Sequence, residues 1–388
     1  MKRFFIIALF LLLYINQSNA IDLSPKSKVS LMVVGPYYKD FASIWGHVAL
    51  WIKDDQNNID IIYNYGGAAY GGNFMLRLVT GKLRFYLDTR QTLAQDLKTY
   101  YRAKRDVSLY ELNLDLNERN KLFHYLQNNA KESNKYYKYE FYVANCTTQS
   151  LDAIKNSING ELVYQDKYTD ITYRMICDDK FPVFPEVDFL IKLISGSKND
   201  KKLKLEDIFF VPAYMVENLA KAKIKNGNME KPFFKGSKQV YDFPDIELKF
   251  SFYNSALFYI LILFIIELGL FAYSYISKTN YFKWYDYLWF LITAIVSLFL
   301  FYVMVFTHYI VTKWNFNLLW ANPLFWLVLF LKGEKKVLMF KIISVSILFL
   351  FAGILFLPQK FYLQNLLLAA VLFMKTLKYG FMKNRFEN

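Results

Sequence analysis

The chain has 388 residues, of which 55% are apolar and 19% aromatic, with 31 tyrosines and 37 phenylalanines. This composition excludes a disordered protein and exceeds what one compact soluble domain needs to fill its core. Its 47 basic and 33 acidic residues leave a charge of +14, which suits nucleic acid, anionic lipid or the cytoplasmic anchoring of membrane helices. Two cysteines, Cys146 and Cys177, exclude a disulfide scaffold and a cysteine-built metal site, and three histidines exclude a histidine-rich one.

In chain order, Lys2 and Arg3 precede a twelve-residue apolar run, Phe4 to Ile15, and then a polar stretch ending in Ser18-Asn19-Ala20. Twelve residues reach about 18 Å as a helix, short of the roughly 30 Å of bilayer hydrocarbon. Residues 1–20 therefore read as a signal peptide, and the chain beyond Ala20 as exported. From 21 to about 220 the pattern is α+β. Val29–Val34, His47–Ile52 and Ile59–Tyr65 predict strands, with Gly66, Gly67, Gly71 and Gly72 breaking the chain after the third. Asn117–Ala130 and Thr147–Ile158 predict helices. The run Tyr100–Arg105 and the Lys201–Lys204 segment read as solvated faces. Residues 221–253 mix Lys, Gly, Asn and Pro without periodicity and read as a tether.

From 254 to 388 the chain carries five apolar stretches: Ser255–Ile276, Tyr287–Phe306, Asn317–Leu331, Ile342–Leu357 and Tyr362–Met374. They predict a five-helix transmembrane domain, the third helix being short and interrupted by Pro323. With 21–253 outside, the inner loops hold Lys278, Lys283, Lys332, Lys335, Lys336, Lys375, Lys378, Lys383 and Arg385, and the outer loops only Lys313 and Lys360. That asymmetry places the C-terminus in the cytoplasm and counts the third stretch as a true crossing. This segment supplies twelve basic and four acidic residues, +8 of the total, so nucleic acid is a poor partner and a lipid bilayer a good one. Glu267, inside the first span, requires a partner. His308, Asn315, Asn317 and Asn322 cluster at the outer end of the second and third spans, where they suggest either a substrate groove or polar packing.

The chemistry-bearing residues are few. His47 heads a strand in Trp45-Gly46-His47-Val48-Ala49-Leu50. Cys146 lies in Asn145-Cys146-Thr147-Thr148, where Asn145 or a neighbouring threonine would cap a helix starting at the cysteine. A thiol at a helix N-terminus is biased towards thiolate, and a nearby imidazole would complete an activated nucleophile. Cys146 also admits two plainer readings, an inert buried cysteine or a disulfide with Cys177.

Taken together, Gly46–Leu50, Tyr63-Asn64-Tyr65-Gly66, Asn145–Thr148, Asp207-Ile208-Phe209-Phe210-Val211-Pro212 and Asn317-Leu318-Leu319-Trp320-Ala321-Asn322-Pro323 resemble the Lnb-type lipoprotein N-acyltransferase family of Bacteroidota. The likeness extends over nearly the whole mature chain, with Gln149 departing from the arginine of the family pattern. It implies a circularly permuted papain-like periplasmic domain on an all-α membrane bundle in the inner membrane. It further implies that Cys146 takes a fatty acyl group from a membrane phospholipid and passes it to the amine of a diacylated lipoprotein. His47 would be the base and Asn64 its orienting partner, with Asn145, Tyr65 and Thr147 in support around the oxyanion; no metal or cofactor is required. A papain-like amidase acting on peptidoglycan and a non-catalytic envelope protein are the competing readings.

Overall fold

In the computed structural model, residues 21–68, 71–244, 248 and 250–385 are described; the expected signal peptide lies outside them. Their β-rich part grows from three apolar runs that pair in sequence. β1 (Lys28–Val34), β2 (His47–Asp54) and β3 (Ile59–Ala68) form an antiparallel meander, β1 pairing Leu31 with Leu50 and β2 pairing Leu50 with Tyr63. β1 reads as a nearly continuous apolar run because both of its faces are covered. Leu31, Leu50, Tyr63 and Tyr65 face the main core, while Met32, Val34, Ala49 and Ile62 face a smaller one roofed by Leu93, Leu97 and Tyr100. With β4 (Arg84–Asp88), β5 (Val107–Leu112) and β6 (Tyr136–Lys138) the sheet becomes seven-stranded once β12 (Phe234–Tyr241) is added, in the order β12-β5-β1-β2-β3-β4-β6. The short strands β7 (Glu161–Val163), β8 (Tyr168–Thr172) and β9 (Lys202–Lys204) belong to two smaller sheets.

Two expectations are corrected here. β3 does not stop at Gly66 but runs through Gly66 and Gly67 to Ala68, its register against β4 shifting between Asn64 and Gly67. The glycines accommodate a bulge instead of ending the strand. The expected tether is also largely structured. β10 (Lys223–Asn226) and β11 (Met229–Pro232) pair with each other, and β12 lies beside β5 at the edge of the main sheet. Lys235, Ser237, Lys238 and Gln239 are exposed, so this edge strand shows no apolar alternation. Buried Ile224 and Phe233 pin the segment down.

Among the described residues three helices are long and apolar enough to cross a membrane: Ala256–Ser277, Lys283–Phe306 and Gly333–Gly353. A fourth, Leu363–Gly380, packs against the first and third and buries Lys375 and Lys378. The stretch Asn317–Leu331 is not a continuous helix. It is a 3-10 turn (Phe316–Leu319), a break at Asn322-Pro323 and a six-residue helix (Phe325–Phe330) about 9 Å long. Proline lacks the N–H that would continue the turn, and the Asn322 side chain accepts from the Leu324 N–H instead. The broken segment still carries the chain from one end of the bundle to the other. His308 touches the exported domain, whereas Gly333 lines a cleft with Lys283 and Lys378 at the far end. Irregular backbone at this depth is tolerated because Trp320, Ala321, Phe325 and Val328 bury it in protein. Glu267 finds its partner: it receives the Trp289 indole N–H at 2.6 Å and pairs with Lys375 at 2.8 Å, while Asp286 holds Lys375 and Lys378.

Candidate active site

The Cys146–Lys155 helix packs its buried face (Leu151, Ala153, Ile154) towards β2 and β3. Asn145 is its cap: the side-chain oxygen accepts from the N–H groups of Thr147 and Thr148 at 2.9 and 3.0 Å, and Thr148 Oγ1 accepts from the Asn145 N–H. The Asn145 amide donates to the carbonyl of Phe210 at 2.9 Å, so the Asp207–Pro212 motif acts by holding the cap. Cys146 is thereby the first helical residue, and its own N–H donates to no protein acceptor among the described residues. Thr147 is buried, with its hydroxyl 3.8 Å from the thiol.

His47 opens β2 directly after Gly46, whose φ of +102° and whose approach to the Val34 carbonyl leave no room for a side chain. Its Nε2 lies 2.9 Å from Asn64 Oδ1, which also accepts the Gly66 N–H at 2.7 Å. A backbone N–H can only donate, so the atom facing Nε2 is the amide oxygen and Nε2 carries a proton. That leaves Nδ1 as the basic nitrogen for the thiol. Gly66 is required by contact: a Cβ there would lie 2.7 Å from the imidazole Cε1 and 2.8 Å from Asn64 Oδ1. Tyr65 turns away, its hydroxyl accepting from Asn129 and its ring buried in the main core. Its expected place beside the oxyanion is thus not realised, because alternate strand residues face opposite sides.

A cleft of about 240 Å³ surrounds the pair, lined among others by Phe85, Tyr139, Phe141 and Arg105. Arg105 and Tyr100 were expected on a solvated face, yet Arg105 is buried, donating to the Gly35 carbonyl through Nε at 2.9 Å and Nη2 at 2.7 Å. Its guanidinium lies over Tyr37 and Tyr100. Nothing local in the sequence distinguishes it from its exposed neighbours Arg102 and Lys104.

Burial alone would push the Cys146 thiol up; His47, the Val48 N–H and the Thr147 hydroxyl outweigh it and bring the thiol from an ordinary 9.0 down to about 7. For His47, burial disfavours the charged form but the thiolate more than compensates, so its pKa is raised. Cys177 is free, buried beside Tyr142, and burial pushes it to about 12. Alkylation of the folded protein by iodoacetamide should therefore mark Cys146 alone, with a rate rising through a midpoint near pH 7. In His47→Ala burial acts without its largest opponent, and the midpoint should climb towards or past 9. An unchanged midpoint in that variant would show that the histidine does not govern the thiol.

The four polar residues of the membrane part do not form a groove together. His308 Nε2 donates to the Tyr139 carbonyl at 2.8 Å, Asn315 and Asn317 both donate to the Leu193 carbonyl at 3.0 Å, and Asn322 reaches Ser346. Asn315 and Asn317 are buried; they fasten the exported domain to the bundle. Beside them Gly196 and Ser197 donate to the carbonyls of Val311 and Trp314, and Asn199 also reaches the Val311 carbonyl.

A sheet-rich domain that pairs one cysteine with one histidine, clamped onto a bundle of apolar helices, defines a membrane-anchored envelope protein. Residues 17–178 match the Lnb N-terminal periplasmic domain and residues 249–385 match the Lnb transmembrane domain, most of the chain between them. The chain belongs to the Lnb family. No curated protein and no solved structure matches it.

Proposed function

We propose that the protein is a lipoprotein N-acyltransferase of the inner membrane, its periplasmic domain a circularly permuted papain-like fold and its C-terminus cytoplasmic. The observation that carries this reading is where the cleft stands. Its wall at Tyr139 is bonded to His308 just beyond the second membrane helix, and Glu140 next to it accepts the Ile310 N–H at 2.9 Å. The Tyr309 hydroxyl reaches the carbonyl of Leu78, at the end of a short helix whose Met75 and Leu76 are exposed. A Cys–His pair seated on the bilayer surface beside exposed apolar side chains suits a lipid ester better than a wall polymer.

In the first half-reaction Nδ1 of His47 takes the thiol proton and Sγ of Cys146 attacks the ester carbonyl of a phospholipid. The oxyanion is met by the Cys146 N–H at the helix N-terminus. As the C–O bond breaks, the lysophospholipid oxygen takes the proton from His47, leaving a thioester. In the second, His47 deprotonates the α-amine of a diacylglyceryl cysteine, the C–N bond forms, the C–S bond breaks and the thiolate returns.

The test is to incubate purified protein with a phospholipid labelled in its acyl chain and map the label by mass spectrometry. A thioester on Cys146, discharged by a diacylated lipopeptide amine, is the expected result. Label on Cys177, or full lipopeptide acylation by Cys146→Ala, would overturn the reading.

A further inference from the structure

At the end of the membrane bundle remote from the exported domain, a cleft of about 230 Å³ opens between the second, third and last helices. Four lysines line it, Lys283, Lys336, Lys378 and Lys383, together with Asn280 and Tyr287, and among the described residues no acidic side chain does. An inward excess of lysine is expected of any membrane protein, but its convergence on one cleft is not, since like charges there repel. Asp286, which reaches the lining Lys378, is already held by Lys375, Lys378 and Tyr379. Glu334, in the first turn of the third helix, is exposed and outside the lining. Lys283 and Lys336 make no ion pair among the described residues, and Lys336 rests over the Tyr287 ring at 4.5 Å.

Two further features match a headgroup that carries a donor beside its phosphate. The helices Lys283–Phe306 and Gly333–Gly353 both begin at the cleft, and neither has a side-chain cap on its first N–H groups. The Asn280 amide donates to Tyr379, but its buried oxygen accepts from nothing among the described residues. A hydroxyl or ammonium next to the phosphate would satisfy it. The second helix has 24 residues and so spans about 36 Å, which puts the cleft at the opposite headgroup level from Cys146.

We propose that this cleft binds a phosphate-bearing anion, at the depth of a phospholipid headgroup in the inner leaflet. The site is separate from the proposed acyl transfer and does not rest on it. The full-length protein in dodecyl maltoside would be titrated with dioleoyl phosphatidylglycerol, with dioleoyl phosphatidylcholine and with inorganic phosphate, reading the thermal midpoint and bound lipid by native mass spectrometry. Phosphatidylglycerol should bind and raise the midpoint, and the choline lipid should not. In the Lys283→Gln/Lys336→Gln double variant the affinity should fall about thirtyfold, each lysine near a headgroup contributing a comparable share. Lys283→Arg/Lys336→Arg should keep it, which separates loss of charge from misfolding. Inorganic phosphate acting alone with the same lysine dependence would assign the site to a soluble phosphate, whereas an effect of the lipid only assigns it to the headgroup. Equal binding of both lipids, or undiminished binding by the Gln variant, overturns the proposal.

Discussion

Replacing His47 by alanine should reduce acyl transfer about as much as replacing Cys146, each by a factor on the order of 10⁴, and the double variant should be little worse than either. The reason lies in the shared proton. With Nε2 committed to Asn64, Nδ1 is the nitrogen left to take the thiol proton, and without it the buried thiol reverts to a poor nucleophile. Cys146→Ser should be as inactive as Cys146→Ala, because a hydroxyl does not form the thiolate–imidazolium pair that this site stabilises. Asn64→Ala should lose less, since the pair survives its orienting partner. These losses should come without unfolding, as judged by retention in the membrane and an unchanged thermal midpoint. Additive effects of His47→Ala and Cys146→Ala would mean that the two do not act as one unit.

The second large effect comes from a residue with no chemistry of its own. Gly66→Ala should lower transfer by about 10²-fold, the loss expected from misplacing a reacting group by an ångström. The atoms nearest the new methyl are the ends of two side chains, the imidazole and the Asn64 amide, and both can move aside. The fold should therefore persist while the catalytic geometry does not. Gly67→Ala is the control: its methyl would meet the Tyr86 ring at 2.5 Å and the Tyr86 carbonyl at 2.7 Å, so it should reduce stability instead. The alkylation midpoint of Cys146 reads the difference. It should shift up in Gly66→Ala and stay in place in whatever fraction of Gly67→Ala folds; no shift in Gly66→Ala would remove the argument.

Gly66 also shows where sequence reading stops. The Gly-His strand start, the Asn-Cys helix cap and the alternation that turns Asn64 away from Tyr63 and Tyr65 are local patterns, and local patterns can be read along the chain. Whether a glycine breaks a strand or makes room for an imidazole depends on β2 lying beside β3, which no window around Gly66 contains. Arg105 was hidden for the same reason: its partner, the Gly35 carbonyl, is 70 residues away. For Asn315 and Asn317 the sequence leaves a groove and polar packing both open, because polar groups near a membrane need an explanation of one kind or the other. Theirs is the carbonyl of Leu193, 122 and 124 residues earlier. β12 escaped because an edge strand solvated on both faces carries no period to detect.

The fastening around Gly196 has a mechanical consequence. A Cβ at that position would overlap the Lys313 carbonyl, so the two backbones touch directly. A second bolt stands nearby, where Arg174 grips Asp200 in a buried ion pair and Asp200 accepts the Lys360 N–H. A domain joined to its anchor by one strand of chain can swivel and sample a hemisphere of heights and tilts. Fixed at several points, this one keeps its opening at a constant altitude over the lipid surface. Its encounters with anything anchored in the same sheet of lipid become a planar search, in which only lateral drift and rotation about one axis remain to be matched.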